Sequence, residues 1–318
     1  MGVGMRHLVT KPYLLLLSGV LVVVTACGGD DAFDPRSDTS ASSTAASGGG
    51  STTGVGGSAT SSTGVGGDGG DGGDGGDGGD GGSVGAGGSP GPGGLADVGS
   101  LVVLGDSISD GGGQSPYYYQ LLRDALEGHY GAPIAYENAA QSGSQTGALV
   151  GQVASLPAAL PGPVVVVITS GGNNLKNNAI QALLGADEAL RQQMEADIDA
   201  ALSALEAPDR FGSGVDVHVY ETNIYDASDG QGNFATGGCV LPLDAPNGSA
   251  AIFAAWNQSI ADVVDAHQQV LVDMHGHFSG HGFNGADNWY ASDCTHPNST
   301  GHAEIEGLVF SMITGATN

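Results

Sequence analysis

The chain has 318 residues, and its 34 Asp and Glu outnumber its 7 Lys and Arg, giving a formal net charge of −27 at pH 7. This balance argues against a nucleic-acid partner, because phosphate binding requires a basic surface. It also weakens attraction to anionic membranes. The length is sufficient for a well-buried domain, and nothing in the sequence indicates a protein partner.

The first 27 residues are typical of a secretory signal, with Arg6 and Lys11 ahead of an apolar run over residues 13–24. The run is too short for a membrane-spanning helix, which needs roughly 20 residues. Residues 24–27 read Val-Thr-Ala-Cys and resemble a bacterial lipobox, which would make Cys27 the lipidated first residue of the mature protein. An ordinary signal peptide and a short membrane anchor are the alternatives.

The residue after Cys27 is Gly28, so the chain lacks the aspartate that typically marks inner-membrane retention of lipoproteins. The lipobox resemblance therefore implies an exported protein on the outer membrane or the cell surface. Its contact with the membrane would be made through the lipid on Cys27.

Residues 28–98 are dominated by Gly, Ser, Thr and Asp, and an aspartate recurs at every third position from Asp68 to Asp80. Such a segment has too little apolar surface to offset the entropy lost on ordering, so we predict a disordered linker. Calcium binding by the aspartates is the alternative, since carboxylates suit that ion.

If Cys27 carries lipid, Cys239 and Cys294 are left as a pair. In an exported protein two remaining cysteines are expected to form a disulfide, with two reduced thiols as the alternative. Cys294 lies between Asp293 and His296, so this bridge would brace the loop that holds them.

Residues 99–318 alternate short apolar runs with helical patterns. Ser115 and Pro116 are an N-cap and first-turn signal for a helix that runs to about Glu127. Strands are predicted at residues 101–104, 134–137, 164–169, 215–221 and 270–273. Further helices are predicted at residues 146–155, 179–206 with a break near Gly185, 249–267 and 299–314. The alternation predicts one α/β domain, in which helices cover both faces of a mostly parallel sheet.

Three distant segments supply the groups of an acyl-transfer site. Ser107 directly follows the first predicted strand, and the Gly-Gly-Asn-Asn segment at residues 171–174 follows another. Asp293 and His296 precede the last predicted helix. A serine nucleophile needs a base, the base needs an orienting carboxylate, and the oxyanion needs hydrogen-bond donors. The carboxyl ends of parallel strands are where such sheets bind ligands.

Four blocks in the chain resemble those of the SGNH hydrolases, also called the GDSL family. Residues 105–110 read Gly-Asp-Ser-Ile-Ser-Asp and residues 138–143 read Asn-Ala-Ala-Gln-Ser-Gly. Residues 171–174 read Gly-Gly-Asn-Asn and residues 293–298 read Asp-Cys-Thr-His-Pro-Asn. The blocks occur in the family's order and cover nearly all of residues 101–318. The resemblance implies a three-layer α/β/α sandwich of flavodoxin-like topology, the SGNH hydrolase fold.

The same resemblance implies a role for each matching residue. Ser107 would be the nucleophile, His296 the general base and then the general acid, and Asp293 the residue that orients the imidazole. The oxyanion hole would consist of the backbone N–H groups of Ser107 and Gly143 and the side-chain amide of Asn173.

The chain departs from the family pattern at Asn174, where the family usually has aspartate. Since Asn173 is intact, we expect the oxyanion donor to be kept, and the departure bears on the packing of the turn.

His275, His277 and His281 cluster after the last predicted strand. Imidazole is a common metal ligand, and metal binding is one reading of the cluster. We favour a loop beside the site, and we predict neither a metal nor a cofactor.

These features together predict an exported, lipid-anchored serine esterase that cleaves carboxylic esters, including acetyl esters of carbohydrates. The folded part lacks a long apolar segment that would serve as a lid, which argues against a long-chain lipase. A short-chain lipase or lysophospholipase is one alternative. A non-catalytic surface adhesin or carbohydrate-binding module on a hydrolase fold is another.

Overall fold

The computed structural model describes residues 94–316 with the exception of residues 240 and 242. The signal segment, Cys27 and residues 28–93 of the linker lie outside the described residues, so the expectations for them stay predictions. Within residues 94–316, no helix combines the length and the apolar character needed to cross a bilayer.

The core of the fold is a parallel sheet with the strand order β2-β1-β3-β4-β5. Its strands are β1 (Ser100–Gly105), β2 (Ala135–Asn138), β3 (Val164–Thr169), β4 (Val217–Thr222) and β5 (Val270–Val272). Every residue of β1 and of β3 is buried. Such unbroken burial is expected of parallel strands with both faces covered, and it explains why these strands read as continuous apolar runs.

Helices cover both faces of the sheet. They are α1 (Tyr118–Tyr130), α2 (Leu149–Ser155), α3 (Gly172–Asn177), α4 (Ala179–Leu183), α5 (Glu188–Leu205), α6 (Ala250–Ala266), α7 (Met274–Phe278) and α8 (Ser299–Thr314). Leu101 and Val103 of β1 pack with α1, α7 and α8, whereas Val102 and Leu104 pack with α2, α5 and α6. This alternation is the strand period of two. The predicted three-layer α/β/α sandwich is therefore confirmed.

The predicted strands are all present, and their bounds differ from the observed ones by at most two residues. The predicted break near Gly185 is confirmed, since α4 ends at Leu183 and α5 begins at Glu188. Residues 146–148 form a 3-10 turn ahead of α2. Two short helices, α3 and α7, were not predicted, because neither is long enough to show a helical period.

The predicted start of α1 is wrong. Ser115 does not cap the helix, because Tyr117 is extended (φ −87°, ψ 147°) and the helix begins only at Tyr118. The N–H of Tyr118 donates instead to Nδ1 of His302, at 3.4 Å. A contact with the last helix thus replaces the local cap.

After β1, the chain adds β2 on one side of β1 and then adds β3 on the opposite side of β1. The direction in which strands are added therefore changes between β1 and β3. In doubly wound sheets, the crevice beyond the carboxyl ends of strands at such a point is the usual ligand site. The Ser107 turn and the Asn173 segment follow β1 and β3 directly.

Candidate active site

The turn that carries Ser107 is set by the close approach of β1 and β3. A Cβ atom on Gly105 would lie 1.9 Å from the carbonyl oxygen of Thr169, so only glycine fits this position. The N–H of Asp106 donates to that same oxygen at 2.9 Å. The Asp106 carboxylate accepts the N–H of Ile108 at 3.0 Å, which closes the turn around Ser107.

The structure brings Ser107, His296 and Asp293 into one hydrogen-bonded series. Ser107 Oγ lies 2.8 Å from His296 Nε2, and His296 Nδ1 lies 2.5 Å from Asp293 Oδ2. The second carboxylate oxygen of Asp293 accepts the backbone N–H groups of Thr295 and His296, both at 3.0 Å. The loop that holds them leads directly into α8, whose first turn is capped by the Asn298 side chain.

The electrostatics of the series fix the imidazole tautomer. Burial acts to raise the pKa of Asp293, but hydrogen bonds from the imidazole and from the N–H groups of His296 and Thr295 outweigh it and hold that pKa far below its usual range. The ionised carboxylate therefore accepts a hydrogen bond from Nδ1–H of His296. Nε2 is left as the acceptor that faces the Ser107 hydroxyl.

The three expected oxyanion donors are placed around the same edge. Among the described residues, neither the N–H of Ser107 nor that of Gly143 has a hydrogen-bond acceptor. The Asn173 amide donates to the Ser144 carbonyl at 3.0 Å, and an amide has a second hydrogen to give. The Gly143 loop is held to the nucleophile turn because the N–H of Ser142 donates to Asp110 at 2.8 Å.

Gln152 of α2 is a residue of the site that sequence reasoning missed. Its amide oxygen accepts the Gly105 N–H and its amide nitrogen donates to the Gly105 carbonyl, both at 2.8 Å. The side chain is fully buried. A signal was present in the sequence, because Gln152 interrupts the apolar face formed by Leu149 and Val153.

The departure at Asn174 has a structural account. The buried Asn174 side chain accepts the Thr146 N–H at 3.0 Å and donates to the Thr146 hydroxyl oxygen at 2.9 Å. The Thr146 hydroxyl is thereby free to donate to Asp197, at 3.0 Å. The packing of the turn is complete with asparagine at this position.

A buried polar network lies beneath the nucleophile turn. Thr169 Oγ1 lies 3.4 Å from the Asp106 carboxylate and 2.8 Å from Ser109 Oγ, which in turn lies 2.6 Å from the Tyr118 hydroxyl. Burial raises the pKa of Asp106 to about 6 and that of Tyr118 beyond its usual range. The network connects β1, β3 and α1 below the site.

Glu221 of β4 is fully buried and accepts the Ser170 hydroxyl at 2.9 Å. Its other carboxyl oxygen has no hydrogen-bond partner among the described residues. Burial is the main reason that the pKa of Glu221 is raised to about 8, with a smaller contribution from Asp106. Glu221 is therefore largely protonated at neutral pH.

The histidine cluster is distributed over separate contacts. His275 lies 3.0 Å from the Ile224 carbonyl, His277 lies 3.0 Å from Glu304, and His281 stacks on Trp289 with ring centroids 3.5 Å apart. His275 and His277 belong to α7, so the expectation of a loop is wrong for these two. In the part of the chain that the structure describes, no group of three His, Cys, Asp or Glu side chains is placed to hold a metal ion.

Cys239 and Cys294 form a disulfide, with their Cα atoms 5.4 Å apart. Cys294 has a positive φ of 54°, a backbone conformation that residues other than glycine rarely adopt. The adjacent Thr295 carbonyl accepts the Tyr225 hydroxyl at 2.6 Å. The loop of Asp293 and His296 is thus held from two sides.

Comparison with known proteins agrees with this architecture. Residues 103–304 match the GDSL-like Lipase/Acylhydrolase family, and the match spans more than half of the chain. The chain therefore belongs to this family. No curated protein matches it.

Solved structures with a similar fold include an extracellular lipase from Streptomyces rimosus, at 21% identity and a TM-score of 0.51, covering 67% of this chain and 99% of that one. A phospholipase A1 from Streptomyces albidoflavus NA297 has 21% identity and a TM-score of 0.48, covering 68% and 99%. An acetylxylan esterase from Geobacillus stearothermophilus has 17% identity and a TM-score of 0.47, covering 68% and 96%. At these identities, the likeness is one of fold.

Proposed function

We propose that this protein hydrolyses carboxylic esters through an acyl intermediate on Ser107. The observation that supports the proposal most strongly is the continuous series from Ser107 Oγ through His296 to Asp293, with contacts of 2.8 and 2.5 Å. A serine hydroxyl is a weak nucleophile alone, and this series supplies the base and the group that orients the base. A non-catalytic binding module would have no need of it.

In the first step, His296 Nε2 takes the Ser107 proton as Oγ attacks the ester carbonyl carbon. The imidazolium that forms is stabilised by the ionised Asp293, which accepts the hydrogen bond from Nδ1–H without taking the proton. Because the pKa of Asp293 lies far below its usual range, the carboxylate is charged at neutral pH.

The attack turns the ester carbonyl oxygen into an oxyanion. The N–H groups of Ser107 and Gly143 and the second amide hydrogen of Asn173 are the donors that would receive it. Because the Ser107 and Gly143 N–H groups have no acceptor among the described residues, their hydrogen bonds are available to the intermediate.

Collapse of the intermediate breaks the bond to the leaving alcohol, and His296 returns the proton to the departing oxygen. A water molecule then repeats the sequence on the acyl-serine. His296 takes the proton of the water, the new oxyanion occupies the same donors, and Ser107 leaves with the proton restored to Oγ.

For the substrate, we favour acetyl and other short acyl esters, with acetylated carbohydrate as the alcohol side. The absence of a long apolar lid segment in the sequence of the folded part supports short acyl groups, and the net charge of −27 disfavours work on anionic lipid surfaces. A short-chain lipase or lysophospholipase activity is the enzymatic alternative. Rates on p-nitrophenyl acetate, on acetylated xylan and on long-acyl and lysophospholipid esters separate them.

We also propose that the protein is exported and held at the outer membrane or cell surface by lipid on Cys27. The Cys239–Cys294 disulfide supports export, because such bonds persist in oxidising compartments. Replacement of Cys27 by serine should move the protein from the membrane fraction to the soluble exported fraction. An unchanged membrane fraction would rule out the lipid anchor.

Labelling with an organophosphonate tests the nucleophile directly. The reagent should form one covalent adduct, and peptide mass spectrometry should place it on Ser107. His296→Ala should slow the labelling strongly, because the serine then lacks its base. Labelling at another serine, or at an unchanged rate in His296→Ala, would contradict the proposed mechanism.

A further inference from the structure

A glycine loop at residues 111–113 lies against both the backbone of the nucleophile and the ring of the candidate base. The N–H of Gly112 donates to the Ser107 carbonyl at 2.6 Å. A Cβ atom on Gly112 would lie 2.5 Å from Cδ2 of the His296 ring, so the bare backbone of the loop packs directly against the imidazole. The position of this loop therefore limits where the ring of His296 can lie.

The loop is anchored by a second histidine, His302 of α8, which is fully buried. Its Nε2–H donates to the Gly112 carbonyl at 2.9 Å, while its Nδ1 accepts the N–H of Tyr118 at 3.4 Å. The ring packs between Tyr117, edge-on at 5.3 Å, and Tyr118, stacked at 6.4 Å. Both nitrogens are used, and only the neutral Nε2–H tautomer satisfies both contacts.

We propose that His302 is a positioning residue for the hydrolytic reaction, which fixes the Gly112 loop against the imidazole of His296 and the backbone of Ser107. The proposal rests on the proposed function, since it gives His296 the role of base. His302 forms its hydrogen bonds with Tyr118 and Gly112 and none with Ser107 or His296, so its effect on the site would pass through Gly112.

Ser107 follows β1, whereas His296 precedes α8, so their contact depends on how the two elements are held together. The His302–Gly112 hydrogen bond connects α8 to the glycine loop. At Gly112 this loop packs so closely against His296 that there is no room for a side chain. A displacement of about 1 Å in such a site is enough to slow a reaction about 100-fold.

The neutral state of His302 is secured by its surroundings. The pKa of His302 is lowered to about 4, mainly by burial and in smaller part by the charge of nearby His296. The acceptor at Nδ1 is thus retained at neutral pH, including when His296 is protonated during turnover.

A pair of substitutions tests the proposal. The amide nitrogen of glutamine can take the place of Nε2, whereas the shorter asparagine reaches only the place of Nδ1. His302→Gln should therefore keep the bond to Gly112 and stay within a fewfold of the parent kcat. His302→Asn should lower kcat about 10- to 100-fold with little change in KM. His267→Asn, the same change at the end of α6, is the matched control.

The readout must separate positioning from stability. Rates are expressed per active site, and the concentration of active sites is taken from the stoichiometry of organophosphonate labelling. Thermal unfolding is followed for each variant. A merely structural His302 would lower the melting temperature in both variants and leave the rate per active site unchanged, which would overturn the proposal. Equal loss of kcat in His302→Gln and His302→Asn would also overturn it. If instead Ser107→Ala keeps full activity, the proposed function has failed.

Discussion

Gln152 forms hydrogen bonds with both backbone groups of Gly105, accepting its N–H and donating to its carbonyl at 2.8 Å each. This pairing stands where β1 ends and the Ser107 turn begins, in a fully buried position. Gly105 is the last residue of β1, and an amide side chain rather than a neighbouring strand accepts its N–H. Helix α2, which covers one face of the sheet, thereby supports the Ser107 turn where it leaves the end of β1.

Replacement of Gln152 by leucine should destabilise the protein by about 1–3 kcal/mol, because the buried N–H of Gly105 is left without an acceptor. The carbonyl of Gly105 keeps another partner in the Ser144 hydroxyl, at 2.9 Å. Urea denaturation measures the change, and Gln192→Leu on the exposed face of α5 is the control. Equal stability of the two variants would show that the pairing contributes nothing.

The Asn174–Thr146–Asp197 series predicts the effect of restoring the family's usual residue. In Asn174→Asp, the single proton of the Thr146 hydroxyl would face two carboxylates, and only one of them could accept it. We expect a loss of about 1–2 kcal/mol. The companion change Asp197→Asn should recover most of it, because an amide at residue 197 can donate. A double-mutant cycle with a coupling near zero would contradict this account.

The disulfide holds the loop of Asp293 and His296, so its removal should affect both stability and rate. The two cysteines are 55 positions apart in the sequence, and the paired change to serine should cost about 2–4 kcal/mol. The rate per folded molecule should fall as well, since Cys294 separates the two residues. Circular dichroism and phosphonate-normalised kinetics measure the two effects. An unchanged rate would mean that the loop keeps its position without the disulfide, through contacts such as the Tyr225 hydrogen bond.

Glu221 predicts a pH dependence of stability. Its pKa is raised by burial from 4.5 to about 8, so the folded state holds a proton that the unfolded state loses above pH 4.5. The stability that the neutral carboxyl contributes is fully present below pH 4.5 and is lost as the pH rises from 4.5 through about 8. Relative to the parent, Glu221→Gln should therefore gain about 1.4 kcal/mol per pH unit over that interval. Parallel stability curves for the two proteins from pH 5 to pH 8 would exclude the raised pKa.

Sequence patterns predicted the layers well, since the buried strand at residues 164–169 is a continuous apolar run and the helix at residues 299–314 has Ile305, Val309 and Ile313 at helical spacing. They failed where a distant contact decides the local structure. Ser115 looks like a cap, but His302 takes the N–H of Tyr118 from 184 residues away. Short elements such as α7 have too few residues for a period to show.

The residues of the candidate site also fall into those that the sequence predicts and those that it does not. Ser107, His296 and Asp293 were predictable because each belongs to a block with its own recognisable pattern. The supporting residues Gln152 and His302 were missed, because each acts through hydrogen bonds with glycine backbone. Such contacts form no sequence motif, and the sign of Gln152 was a polar residue on the apolar face of α2.

The most direct test of the central claim is the turnover of p-nitrophenyl acetate by Ser107→Ala. The proposed acyl-serine route predicts a fall in kcat of at least about 10⁴-fold, with the fold intact by circular dichroism. Ser142→Ala, in the exposed loop beside Gly143, serves as the control for a serine outside the series. A Ser107→Ala rate within about tenfold of the parent would contradict the claim that this hydroxyl is the nucleophile.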